Sequence, residues 1–205
     1  MKGFGEQRKS KKKSDTKTKP SKEQLIRQAI QFHIKGDIPE ATKCYQYCIN
    51  QGLNDHRVFS NYGIILQNLG RLKDAELLYR KAIEIKPDLA EAHSNLGFIL
   101  QNLGRLKDAE LSYRKAIEIK PDLAEAHSNL GLILKNQGNL HGAELSCRKA
   151  IEIKPDYAEA YSNLGIILRD LGNLKEARLC SEEIMSIRPW SILGSYSFNR
   201  EMKLD

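Results

Sequence analysis

The chain has 205 residues, 40% of them hydrophobic, and a formal net charge of +7, which suits one domain with a packed core. It holds no run of about 18 apolar residues, so no membrane span is expected, and its N-terminus lacks the apolar stretch of a secretory leader. The charge is localised: residues 1–22 carry nine basic and two acidic side chains, and the other 24 basic and 24 acidic residues cancel.

Residues 1–21 are rich in Lys, Ser, Thr and Gly and nearly devoid of apolar side chains. Such a segment cannot offset its ordering entropy and is expected to be a disordered basic tail. Its Arg8-Lys9-Ser10-Lys11-Lys12-Lys13 run suits weak contact with nucleic acid or acidic surfaces, or simply solubility. The nucleic-acid reading is the poorer one, because only Phe4 offers an aromatic platform among the lysines.

A helical period starts at Lys22 and continues to 191. The phrase Ser-Asn-Leu-Gly recurs at 94–97, 128–131 and 162–165, with the variant Ser60-Asn61-Tyr62-Gly63 one period earlier. Ala-Ile-Glu-Ile-Lys-Pro-Asp recurs at 82–88, 116–122 and 150–156. Segments 56–89 and 90–123 are identical at 27 of 34 positions. This fixed period predicts a stacked array whose single units cannot bury their own apolar faces. Five units follow: 22–55, 56–89, 90–123, 124–157 and 158–191.

Within 90–123 the pattern predicts a first helix from Ala90 to Leu103, with Leu96, Leu100 and Leu103 on one face. Gly104-Arg105 is the turn, since Gly tolerates the positive φ that ends a helix. A second helix follows, with Leu106, Ala109, Tyr113, Ala116 and Ile117 facing inward. Pro121 ends it, because its ring disfavours helical geometry at Lys120. Gly97 and Ala109, with counterparts Gly63, Gly131, Gly165 and Ala75, Ala143, Ala177, are small where the two helices must approach closely.

The remaining chemistry is sparse. Cys44, Cys48, Cys147 and Cys180 form no Cys-x-x-Cys and read as small helix-packing residues in a reducing, cytoplasmic setting. His93 and His127 sit singly in separate units and read as packing residues, while His33, His56 and His141 build no metal set. No phosphate loop, nucleophile elbow or zinc-protease motif occurs. Arg114, Lys115 and Glu118 typify helix-face ion pairs. No enzyme, cofactor or metal is expected. Beyond Pro189, Gly194-Ser195 breaks any long helix, so 192–205 forms a C-terminal extension or partial cap. Trp190, Tyr196 and Phe198 would fold back over the last unit. An apolar end left uncovered would favour end-to-end self-association.

These residues resemble the tetratricopeptide repeat family. His93, Leu96, Gly97, Ala109, Tyr113, Ala116 and Pro121 match its signature in one unit. His127, Leu130, Gly131, Ala143, Cys147, Ala150 and Pro155 match in the next, and Tyr161, Leu164, Gly165 and Ala177 in the last. The first unit departs most, with Leu53 where Pro belongs. The wording is similar to bacterial members and to the repeat arm of O-linked N-acetylglucosamine transferase. The resemblance implies an all-α, right-handed α-solenoid of helix–turn–helix units whose first helices line a concave groove.

One stripe of each first helix should face that groove, by its 4, 3, 4 spacing. It reads Arg57, Asn61, Ile64, Asn68; Glu91, Asn95, Phe98, Asn102; Glu125, Asn129, Leu132, Asn136; and Glu159, Asn163, Ile166, Asp170. An Asn amide both donates and accepts, so the ladder Asn61, Asn95, Asn129, Asn163 suits the main chain of an extended peptide. The resemblance to the transferase arm implies the same contact for that ladder. Asn68, Asn102 and Asn136 form a second ladder, and Ile64, Phe98, Leu132 and Ile166 an apolar row between them. Two other readings stay open: the amides bridge neighbouring units, and the apolar row packs between them. Gln67, Gln101, Lys135 and Arg169 read as a solvated face. The expected function is non-catalytic protein–protein interaction through the groove. The alternatives are a recruiting arm for a separate glycosyl-, sulfo- or methyltransferase, and nucleic-acid association through the tail.

Overall fold

The computed structural model describes residues 20–187. The basic tail up to residue 19, Trp190 at the end of the last unit, and the C-terminal extension 192–205 with Tyr196 and Phe198 lie outside the described residues. Ten α-helices and no strand occur among the described residues: α1 (Lys22–Ile34), α2 (Ile38–Asn50), α3 (His56–Asn68), α4 (Leu72–Ile85), α5 (Ala90–Asn102), α6 (Leu106–Ile119), α7 (Ala124–Asn136), α8 (Leu140–Ile153), α9 (Ala158–Asp170) and α10 (Leu174–Ile187). They pair as α1–α2 through α9–α10, and each second helix packs on the first helix of the next pair. The architecture is the expected α-solenoid.

Local chemistry sets the helix ends. Ser21 and Gln24 form a reciprocal capping box at the start of α1, with Ser21 N donating to Gln24 Oε1 at 2.7 Å and Gln24 N to Ser21 Oγ at 3.2 Å. The helix predicted from Ala90 ends at Asn102, one residue earlier than the pattern suggested, with Leu103 as its cap. Gly104 then takes φ 75°, its N–H donating to Gln101 O and that of Arg105 to Leu100 O. This is the double closure of a Schellman turn, and only glycine adopts it without strain. At the other end Lys120 is extended (φ −135°, ψ 90°) ahead of Pro121.

The first connection between pairs is built differently. Where later loops use Lys-Pro-Asp, α2 closes through Gly52 at φ 70°, and Leu53 is buried in the proline's place.

The core runs along the array as repeated layers. Ala75, Ala109 and Ala143 are fully buried, as are Tyr79, Tyr113 and Cys147, and Ala82, Ala116 and Ala150. The expected close approach is real, and what the glycine meets differs between pairs. A Cβ on Gly97 would lie 2.9 Å from the Tyr113 ring. On Gly131 it would lie 2.5 Å from Cys147 Sγ and 3.0 Å from the Ala143 carbonyl. The glycines make room for the residue four along from the alanine, or for backbone.

Candidate functional site

The curvature follows from which helices touch. The backbones of successive first helices approach one another closely (α1–α3, α3–α5, α5–α7, α7–α9), whereas those of successive second helices do not. Where second helices meet they do so by long side chains, as Arg148 of α8 does with Glu176 of α10 at 2.8 Å. Closer spacing along one side bends a stack toward that side, so α1, α3, α5, α7 and α9 line the inner, concave face.

On α5 the core takes Ala90, Ala92, Ser94, Leu96, Gly97, Ile99 and Leu100. Glu91, Asn95, Phe98 and Asn102 are left on the surface side. The same division holds on α3, α7 and α9, so the expected stripe lines the groove. Its centre is a row of half-buried amides, Asn61, Asn95, Asn129 and Asn163.

These amides are not equivalent. Asn163 donates to Ser128 Oγ at 3.0 Å and so ties α9 to α7. Asn61 lies beside the buried Tyr45 hydroxyl, which still lacks a partner of hydrogen-bond geometry. Asn95 and Asn129 make no hydrogen bond within the described residues, which leaves a donor and an acceptor open on each. In the second ladder Asn102 folds back onto its own helix, donating to Phe98 O at 2.8 Å. Asn68 and Asn136 are exposed. In the apolar row, Ile64 packs against the core, Leu132 and Ile166 are half-buried, and Phe98 is 39% exposed.

The edges of the groove are charged. Arg57 is held by two carboxylates at once: its Nη2 lies 2.8 Å from Glu23 Oε2 and 2.8 Å from Asp55 Oδ2. Hydrogen bonds from Arg57, then from Arg27, lower the Glu23 carboxyl to about 2. The Asp55 carboxyl is lowered chiefly by Arg57 as well. Glu91 pairs with Lys120 at 2.9 Å, which lowers its carboxyl too.

The row read as a solvated face is partly internal. The buried Tyr79 hydroxyl donates to Gln67 Oε1 at 2.9 Å, and that of Tyr113 to Gln101 Oε1 at 3.2 Å. In the next unit Cys147 replaces the tyrosine and needs no such acceptor. There Lys135 replaces the glutamine, its Nζ 3.8 Å from Asp170 Oδ2. From 56 to 157 the two positions change together, a signal that comparison of the repeats carries. In the first unit Tyr45 keeps its ring but meets His33 edge-on, and its hydroxyl is left without a partner.

His93 and His127 are structural. Nε2 of His93 lies 2.9 Å from Pro87 O, and Nε2 of His127 lies 2.9 Å from Pro121 O. A carbonyl only accepts, so each ring donates and fastens a first helix to the loop before it. Cys48, Cys147 and Cys180 are buried and Cys44 half-buried, and burial pushes the Cys147 thiol up to about 12. No group of three or more His, Cys, Asp or Glu among the described residues could hold a metal ion. No helix among them is long and apolar enough to cross a membrane. A second periodic row, Leu77, Leu111, Leu145 and Leu179, stands exposed on α4, α6, α8 and α10. Its 34-residue spacing is legible in the sequence alone.

A curved array of helix pairs with a polar, unfilled inner face defines a helical-repeat solenoid. Models of the family described as "TPR repeat" match residues 63–104 and 103–138, and those described as "Tetratricopeptide repeat" match 124–157 and 146–179. The chain belongs to the tetratricopeptide repeat family. Its fold is similar to that of MamA from Desulfovibrio magneticus RS-1 (22% identity, TM-score 0.72, covering 83% of this chain and 97% of that one). It is also similar to YrrB, described as a TPR protein with an unusual peptide-binding site (20% identity, TM-score 0.68, 85% and 90% covered). A third neighbour is PilF from Pseudomonas aeruginosa (16% identity, TM-score 0.71, 80% and 75% covered). No curated protein matches the sequence at a significant level.

Proposed function

We propose that this chain is a non-catalytic interaction module that holds an extended peptide, or an extended segment of a partner protein, along its concave face. The observation that carries the reading is the pair of half-buried, unpartnered amides of Asn95 and Asn129 on successive inner helices. A side-chain amide offers both a donor and an acceptor, so each can satisfy one residue's N–H and C=O in a ligand whose backbone is not self-paired. Packed helices lie about 8–10 Å apart and extended chain rises about 3.3 Å per residue. Each rung therefore meets about every third ligand residue. Phe98, Leu132 and Ile166 supply apolar contact for the ligand's side chains between rungs. The Arg57 ion cluster occupies the first end, so the open stretch runs from α5 to α9. The free thiols suit a reducing, cytoplasmic compartment. The peptide-binding site named for YrrB supports the same use of this fold.

The test is capture from native lysate with three baits: the intact chain, N95A/N129A, and N163A. A partner retained by the intact chain and lost with N95A/N129A, at unchanged helicity, is the expected result. Asn163 already donates within the fold, so N163A should weaken the solenoid more than it weakens capture. Capture indifferent to N95A/N129A would remove the reading.

A further inference from the structure

We propose that residues 188–205 of this same chain seat on the open face of the last helix pair, with Trp190 over the cavity there. In the inner units a following first helix covers this face. Ser94 is 7% exposed and Ser128 1%, whereas their counterpart Ser162 is exposed. Ala82, Ala116 and Ala150 are sealed, whereas the residue at that position in α10 is the larger Ile184, half-buried. Tyr79, Tyr113 and Cys147 are sealed, and their counterpart Ser181 is exposed. The gap is a cavity of about 470 Å³ whose lining includes Tyr161, Gly165, Ile166, Leu174, Ala177 and Ile184. It has an apolar floor rimmed by Arg169 and Arg178, at a place where every other unit has a packed neighbour.

Two observations choose the occupant. The far end of the array does not complement it: apart from Ile34, the exposed residues of α1 are Lys22, Gln24, Arg27, Gln28 and Gln31, so a head-to-tail copy would offer amides and charge. The residues directly after Ile187 do complement it. They include Trp190, Ile192, Leu193, Tyr196 and Phe198 and do not continue the repeat. Pro189 disfavours helical geometry at Arg188, which favours a chain that turns away from the α10 axis there. A segment tethered at the rim of a cavity meets it at an effective concentration in the millimolar range. Ile166 lines this cavity and also belongs to the groove's apolar row, so the seated segment would finish that end of the groove.

Trp190 is the only tryptophan of the chain, and its fluorescence reads the contact directly. In the full native chain its emission should be blue-shifted from that of the urea-unfolded chain, and its acrylamide quenching several-fold weaker. S162E and I184E should each return both readings toward those of exposed indole. Ser162 is already on the surface, so S162E keeps the test valid if I184E loses helicity. Native emission and quenching equal to those of the unfolded chain would overturn the proposal, as would protection that survives S162E. Protection lost on tenfold dilution, together with a fall from dimer to monomer in sedimentation velocity, would assign the cavity to a second copy and overturn it equally.

Discussion

Units 90–123 and 124–157 share most of their wording, yet they close the space between their two helices in different ways. In the first, a Tyr113 ring fills the gap, presses against Gly97 and sends its hydroxyl to Gln101. In the second, Cys147 sits there, and Gly131 lies close both to its sulfur and to the Ala143 carbonyl. Glycine is required in both, against a ring in one and against backbone in the other. The last pair relaxes the demand: a Cβ on Gly165 would meet Cys180 Cβ at 3.4 Å and the Ala177 carbonyl at 3.6 Å, ordinary contact distances. A repeated residue is thus not a repeated constraint.

Truncation separates the units most strongly. Tyr113→Ala empties a fully buried aromatic site and should cost about 3–5 kcal/mol. Cys147→Ala removes one sulfur and should cost well under half as much, both read from urea midpoints. The glycines come next. Gly97→Ala and Gly131→Ala should each destabilise by about 1–3 kcal/mol through overpacking. Gly165→Ala should stabilise α9 by up to about 1 kcal/mol through helix propensity. Equal effects at all three positions would break the comparison. Gln101→Ala strands the Tyr113 hydroxyl and should cost about 1 kcal/mol, whereas Lys135→Ala, beside Cys147, should be near neutral in thermal unfolding.

A pH-dependent effect is expected at the N-terminal end. Glu23 has a folded-state pKa of about 2, below the unfolded value of about 4.3. Its pairing therefore stabilises the fold above the unfolded value and is lost as pH falls toward 2. Glu23→Gln should flatten that part of the acid limb of a Tm–pH profile and leave the limb above pH 6 parallel to the parent.

The fold was legible because its signals are local and repeated: glycine at each turn, proline after most second helices, and apolar spacing of three and four. The groove stripe was legible for the same reason. What separates Asn95 from Asn163 was not, because each has a serine 35 residues back, Ser60 and Ser128, and only Asn163 bonds to its own. The Arg57 cluster was half visible. Glu23 and Arg57 are opposite charges at the same register of adjacent units, but register alone does not reveal a bidentate pair. The glutamine–tyrosine pairing was present in the sequence and missed, because that row was judged by polarity without the residue twelve positions on.

The one-sided contact between helices gives the array an asymmetric stiffness. Along the inner arc the helices already touch, so tightening the curve compresses close-packed side chains, which resist it steeply. Along the outer arc the second helices are bridged only by exposed side chains, such as the Arg148–Glu176 pair, so the opposite deformation, straightening, meets a much softer resistance. This geometry predicts a spring that is stiffer in one direction, yielding toward opening more readily than toward closing past its resting curvature.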